Sequence, residues 1–177
     1  MYPVIRSLLA LRDARRHPSR DPGQASTVTT RVWPWDADVF MELNNGRHLT
    51  LFDVGRFHHG ARLGLIPVLR REGWGLAVGG AWVQYRKRIR LFERFAIRTR
   101  LVARDSRWFY FEQTTLKGDT PCSSALLRVA VIDGPKGAVE TDRVARALGF
   151  PDWQGRLPDW AARMEAADRD RPWPPVA

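Results

Sequence analysis

Residues 31–65, RVWPWDADVFMELNNGRHLTLFDVGRFHHGARLGL, constrain this chain more than any other stretch. The segment opens extended, passes through a loop bearing Asp36, Asp38 and Glu42, and at Asn44-Asn45 enters a helix of about five turns. Leu49, Leu51, Phe52, Val54, Phe57, Ala61, Leu63 and Leu65 leave only a narrow polar stripe at Arg47, His58 and Arg62. A helix that is apolar on most sides is a buried one. Gly55, Gly60 and Gly64 each cost about 1 kcal/mol against Ala in a helix interior, which points to close approach of another backbone, such as a sheet wrapped over the helix. Asp53 is the odd residue among apolar neighbours, either hydrogen-bonded in place or turned toward a polar cavity.

The entrance to that helix is a polar focus. Its first four N–H groups lack internal partners and carry partial positive charge, so they favour an anion or a polarised carbonyl. Asn44 or Asn45 is a natural N-cap. Three acids crowd the same helix tip.

A chain of 177 residues with 44% apolar composition fits one compact domain. Cys122 is the sole cysteine, which excludes an internal disulfide and agrees with a reducing, cytoplasmic location. No run of about 18 or more apolar residues is present. The net charge is +10, and of the 29 basic residues only Lys87, Lys117 and Lys136 are lysines.

Three parts follow in order. Residues 1–25 form a basic amphipathic segment, with Ile5, Leu8, Leu9 and Leu11 ahead of Arg12, Arg15, Arg16 and Arg20. Its charge follows its apolar part, the reverse of a secretory signal. Such a segment can lie on an anionic membrane, so peripheral contact through residues 1–20 stays open, but docking of its leucines on the protein's own body is the commoner outcome. Residues 26–135 hold a first strand at 26–33, the helix, a short connecting turn at 67–73 with room for one helical turn, and long extended segments near 75–89, 95–103, 108–116 and 122–132. The breaks between those segments are short enough for antiparallel hairpins. Strand, buried helix, then a meander of strands is an α+β pattern in which an antiparallel sheet curls round a long central helix. Residues 136–177 form an extension with Val144, Ala147 and Leu148 at helical spacing and Trp153, Trp160 and Trp173 among prolines, expected to pack across the outside of the sheet.

The segment PWDADVFMELNNGRHLTLFDVGRF resembles the D-x-D-x-x-x-H-x-N-N-x-x-Y signature of the hotdog-fold acyl-CoA thioesterases, in the 4-hydroxybenzoyl-CoA thioesterase-like branch that includes the THEM6-like proteins. The text GGAWVQYRKRIRLFERFAIRTRLVARDSRWFYFEQ is similar to that branch's later strands, and the likeness spans about residues 26–133. The resemblance implies a hotdog fold, an acyl-CoA or acyl-carrier thioester substrate, no cofactor or metal, and a homodimer or dimer of dimers whose cleft lies between subunits. It also implies that Asp38 is the catalytic carboxylate and that N–H groups near Asn45 and Gly46 polarise the thioester carbonyl. Two positions depart from the signature: Glu42 stands where His is usual, and His48 where Tyr is usual.

Thioester hydrolysis needs a group that activates water or attacks directly, and donors aimed at the oxygen where charge develops. One oxyanion donor is worth about 3 kcal/mol, and helix N-terminal amides supply such donors without reorganisation. Asp38 fits the first role, against an alternative as an ordinary loop carboxylate. Asp36 fits a loop anchor. Asn44 and Glu42 shape the site, Glu42 either lining it or facing solvent. His48 and Asp53 are candidate substrate contacts. His58 and His59, being adjacent on a helix, point apart and do not suit joint metal ligation. Cys122 reads as a packed thiol.

Nine basic residues between Arg86 and Arg107 face only Glu93 and Asp105, a local balance of +7. A solvated sheet face is the default reading. Arg86 and Arg88 could instead grip coenzyme A phosphates through their planar forks. Nucleic-acid binding by the 86–107 strands, with residues 108–111 as stacking partners, is a weaker alternative. Loss of catalysis, leaving an acyl-CoA or lipid-binding hotdog protein, is another, with Glu42 and His48 as its trace.

Overall fold

A computed structural model describes residues 2–172; Trp173 lies outside them. The elements are α1 (Val4–Arg16), β1 (Ser26–Arg31), α2 (Asn45–Arg62), α3 (Leu65–Glu72), β2 (Gly75–Tyr85), β3 (Arg94–Arg104), β4 (Phe109–Lys117), β5 (Thr120–Ile132), α4 (Thr141–Leu148) and α5 (Asp159–Arg169). The strands form one antiparallel sheet in the order β1-β3-β4-β5-β2, with α2 against its inner face. This is the α+β arrangement expected of the chain.

Apolar residues of α2 and the sheet make the central core. Leu51 and Phe52 pack with Phe95, Ile97, Ala125 and Leu127, all buried. Gly55 explains how the sheet comes so close: a Cβ there would stand 2.6 Å from Thr99 Oγ1 and 2.9 Å from Gln113 Nε2. Gly64 serves differently. At φ +79° it lies beyond the end of α2 and starts α3, so residues 65–72 form a two-turn helix where a short connecting turn with one helical turn at most was expected.

β2 is shorter than its sequence suggests. Pairing stops at Tyr85, because the N–H groups of Arg86 and Lys87 both turn to the Cys122 carbonyl (2.8 and 2.9 Å). Ile89 then buries its side chain in the core, and its carbonyl accepts from Leu43 N–H at 2.8 Å. This latches the strand end to the segment leading into α2.

The outer face of the sheet is covered by α5. Ala161 packs with Ala103, Tyr110 and Leu126, and Arg128 reaches from β5 to Glu165 (2.9 Å) and Asp168 (2.6 Å). Strand alternation puts Phe109 and Phe111 opposite Trp108 and Tyr110, yet both pairs are covered, the outer one by this packing. Arg104, alone of the basic run, is buried; it donates to the carbonyls of Trp153 (2.6 Å) and Pro151 (2.7 Å) and pairs with Asp142.

α1 reverses the expectation for its leucines. It lies on α2 through Ala10 and Ala14, small residues that allow close helix approach, while Ile5, Leu8 and Leu9 stay 75%, 61% and 60% exposed. Polar bonds fix that orientation. Arg6 donates to the Arg31 carbonyl (3.2 Å) and pairs with Asp36, Asp13 meets His58 Nε2 (3.0 Å), and Arg62 donates to the His17 carbonyl (2.6 Å). Among the described residues no helix is long and apolar enough to cross a membrane.

Candidate active site

The loop before α2 is built on Asp36. Its carboxylate, fully buried, accepts from Trp33 N–H (3.1 Å) and Arg47 Nη2 (2.8 Å) and pairs with Arg6. Burial alone would raise this carboxyl; the hydrogen bonds from Arg6 and Arg47 outweigh it and hold the group below the usual carboxylate range. The Asp36 carbonyl also accepts from Asn44 N–H at 2.9 Å, so the loop leaves from and returns to one point at the tip of α2.

Asp38 sits inside that closed loop and is half-buried. Its N–H donates to the Glu42 carbonyl (2.8 Å), and its Oδ1 accepts from Phe40 N–H (2.9 Å) and Glu42 N–H (3.3 Å). Both side-chain bonds fall on Oδ1. Met41, at φ +58°, turns the chain back, and Val39, Phe40 and Met41 stand exposed at the loop's apex.

Asn44 is the N-cap, one of the two candidates left open by the sequence. Its Oδ1 accepts from Gly46 N–H at 2.9 Å, so the cap holds the Gly46 amide, and of the two expected oxyanion donors Asn45 N–H is the one outside the cap bond. Tyr85 on β2 donates its hydroxyl to the Asn45 carbonyl at 2.9 Å, tying sheet edge to helix tip. Glu42 is held by Arg88 Nη1 at 2.9 Å, while Arg86 is exposed two residues away.

His48, in the first turn of α2, is buried and joins a chain that sequence reasoning missed. Its Nδ1 lies 3.0 Å from Ser123 Oγ, which lies 2.7 Å from Thr115 Oγ1, and the Tyr85 ring meets it edge-on at 5.1 Å between centroids. Burial pushes its pKa down to about 4, so the imidazole is neutral at physiological pH. The available signal was the polar side chains Thr99, Gln113, Thr115 and Ser123 at inward positions of otherwise apolar strands.

Asp53 is held in place by a side-chain partner, one of the two readings offered for it, but the cavity it faces is apolar rather than polar. It pairs with Arg56, which passes Nη1 to Gln113 Oε1 (2.6 Å), while Gln113 Nε2 donates to the Phe52 carbonyl (2.9 Å) and Thr99 Oγ1 (2.8 Å). It also lines a cavity of about 370 Å³ walled mainly by Phe57, Leu76, Leu101, Phe109, Val131 and other apolar residues. Burial raises the Asp53 carboxyl in spite of Arg56. Asp53 follows Asn45 by eight residues, roughly 12 Å along the helix.

The structure therefore gathers Asp38, Glu42, Asn44, Asn45, Gly46, His48 and Arg88 around one end of α2, and leaves Asp53 at a cavity farther along it. Residues 108–111 offer no exposed aromatic face: Phe109 and Tyr110 are buried, Trp108 and Phe111 half-buried. Among the described residues no cluster of three or more His, Cys, Asp or Glu could hold a metal ion.

Residues 32–166 match the model of the thioesterase-like superfamily. Protein THEM6 of Danio rerio is 33% identical over 163 residues, covering 91% of this chain and 81% of the relative. Protein THEM6 of Xenopus laevis is 31% identical over 163 residues, covering 90% and 79%. Among solved structures, a DHNA-CoA thioesterase from Staphylococcus aureus superposes with TM-score 0.63 at 16% identity, over 86% of this chain and 99% of that one. A likeness of that kind carries the fold, and the sheet-round-helix architecture is the hotdog fold.

Proposed function

Because this chain belongs to the thioesterase-like superfamily, we propose that it is an acyl-CoA thioesterase, hydrolysing a thioester to a free acid and CoA. The observation that carries the reading is the closed loop that leaves from and returns to the helix tip: Asp36 bonds Asn44, Asp38 bonds Glu42, and the loop carries a half-buried carboxylate. The thioester carbonyl oxygen lies at Asn45 N–H, and Gly46 N–H joins when the Asn44 side chain swings aside. Asp38, through the oxygen its turn does not use, either takes a proton from a water that adds to the carbonyl carbon, or attacks that carbon itself to form a mixed anhydride that a water then hydrolyses to the free acid and the regenerated carboxylate. On either route the C–S bond breaks, and CoA leaves as the thiolate. The cavity beside α2 falls in the usual size range of small-molecule sites and takes the acyl chain. Arg86 and Arg88, both exposed near the helix tip, suit the CoA phosphates.

The same reading calls for a homodimer, or a dimer of such dimers. β2 is an edge strand, and its Leu76, Val78 and Tyr85 are exposed, so a second copy can extend the sheet there and close the cleft over the helix tip. Sedimentation velocity tests the mass.

A second reading has its own support. The cap occupies Gly46 N–H, and Arg88 occupies Glu42, as in a protein that binds acyl-CoA and does not turn it over. Thiol release across a panel of aliphatic and aromatic acyl-CoAs decides. Steady release by the wild-type chain supports the hydrolase; tight binding with no release of thiol favours the binder and overturns the proposal.

A further inference from the structure

We propose that the outer face of α1, together with Trp33, Trp35 and Phe92, docks on an anionic lipid bilayer. The face is defined by what α1 buries. With Ala10 and Ala14 turned to α2, Val4, Ile5, Leu8 and Leu9 share an outward arc of about 140°. Arg12, Arg15 and Arg16 continue the same arc through the second half of the helix, where its apolar surface gives way to cations. A helix with exposed leucines at one end and arginines at the other lies in a membrane interface with its apolar part sunk among the headgroups.

The neighbouring surface is of the same kind. Trp35 is 66% exposed and stacks on Trp33 at 5.8 Å between centroids, with Phe92 edge-on to Trp33 at 6.4 Å. Ile5, Leu9 and Trp33 line one groove between α1 and β1, along with Arg31 and Arg94, so the apolar residues and aromatic rings are contiguous. Tryptophan prefers the bilayer–water boundary, where its ring is apolar and its N–H wet. The nearby acids do not cancel the charge: Asp36 is buried between two arginines, Glu93 is paired with Lys117, and Asp13, hydrogen-bonded to His58, stands against Arg12, Arg15 and Arg16.

A second copy of the chain fits this face less well. In a two-fold contact the same patch meets itself, which sets arginine against arginine. An anionic bilayer answers both features at once. Tyr2, which lines the apolar cavity, stands two residues before Val4, so docking also brings that cavity's rim to the lipid. The docking itself does not depend on hydrolysis.

The test is co-sedimentation of the full chain with vesicles of phosphatidylcholine alone or with 30% phosphatidylserine, at about 0.1 M salt, where screening is moderate. Binding is expected only to the anionic vesicles. Each surface arginine is worth about fivefold, so the triple variant Arg12→Gln, Arg15→Gln, Arg16→Gln is expected to bind roughly a hundredfold more weakly. Leu8→Glu with Leu9→Glu is expected to abolish binding, and Lys136→Gln, a remote exposed cation, to leave it intact. Circular dichroism and Tm confirm that each variant folds; should the leucine variant not fold, the arginine variant still decides. Equal binding by the arginine variant, no binding of the wild-type chain to either vesicle, or a fall in particle mass with the leucine variant would each overturn the proposal, the last by assigning the face to self-association.

Discussion

Replacing Gly55 by Ala sets two opposed effects against each other. In a helix interior Ala is favoured over Gly by about 1 kcal/mol, so on propensity alone the variant should be more stable. The structure reverses the sign. The added Cβ would stand 2.6 Å from Thr99 Oγ1 and 2.9 Å from both Gln113 Nε2 and Ile97 Cγ2, all from the sheet side. Overpacking of this sort costs about 1–3 kcal/mol. Gln113 is also the middle of a buried network, with bonds of 2.9 Å to the Phe52 carbonyl and 2.8 Å to Thr99, and displacing it forfeits about 1 kcal/mol for each. The net expectation is a loss of about 2–4 kcal/mol, which for a chain of this length lowers Tm by roughly 5–15 °C. Thermal unfolding followed by circular dichroism measures it directly. A Tm equal to or above the wild type would refute the close packing of sheet on helix.

Three further outcomes follow from buried polar groups. Asp36→Asn removes the negative charge between Arg6 and Arg47 and is expected to cost about 3–5 kcal/mol in urea unfolding at pH 7; a loss under 1 kcal/mol would show that the loop does not rest on this carboxylate. His48, pushed from 6.5 to about 4 by burial, contributes stability that is complete above pH 6.5 and lost as pH falls toward 4, about 3 kcal/mol in all. His48→Gln lacks that titration, so it should lose correspondingly less stability than wild type between pH 7 and 4, and parallel curves would contradict a buried neutral imidazole. Arg104→Met leaves the Trp153 and Pro151 carbonyls without their donor and should speed proteolysis between residues 134 and 158; an unchanged cleavage pattern would show that other contacts anchor the extension.

The helix and its wrapping sheet were legible because local residues declare them. Gly55 in an apolar helix signals a close neighbour, and the alternation of Phe95, Ile97, Thr99 and Leu101 with exposed arginines marks a strand with one wet face. Asp36 as a loop anchor was legible too, but its partners were not: Arg6 lies 30 residues away, and only the fold brings it there. The His48–Ser123 bond spans 75 positions and has no local signature. The α1 leucines misled for a different reason. Apolar residues usually turn inward, but here Ala10 and Ala14 took the contact with α2, since small side chains let two helices approach. At the tip itself, residue types pointed to an N-cap near Asn44 but could not tell that the cap would engage the Gly46 amide.

The most direct measurement is the kcat of Asp38→Asn on the best acyl-CoA substrate of the wild-type chain, with Tm recorded on the same sample. Asn keeps the shape and the acceptor that bonds Phe40 and Glu42, so Tm should hold while kcat falls by about 10²–10⁴. Undiminished turnover by a folded variant would contradict a catalytic carboxylate at the tip of α2.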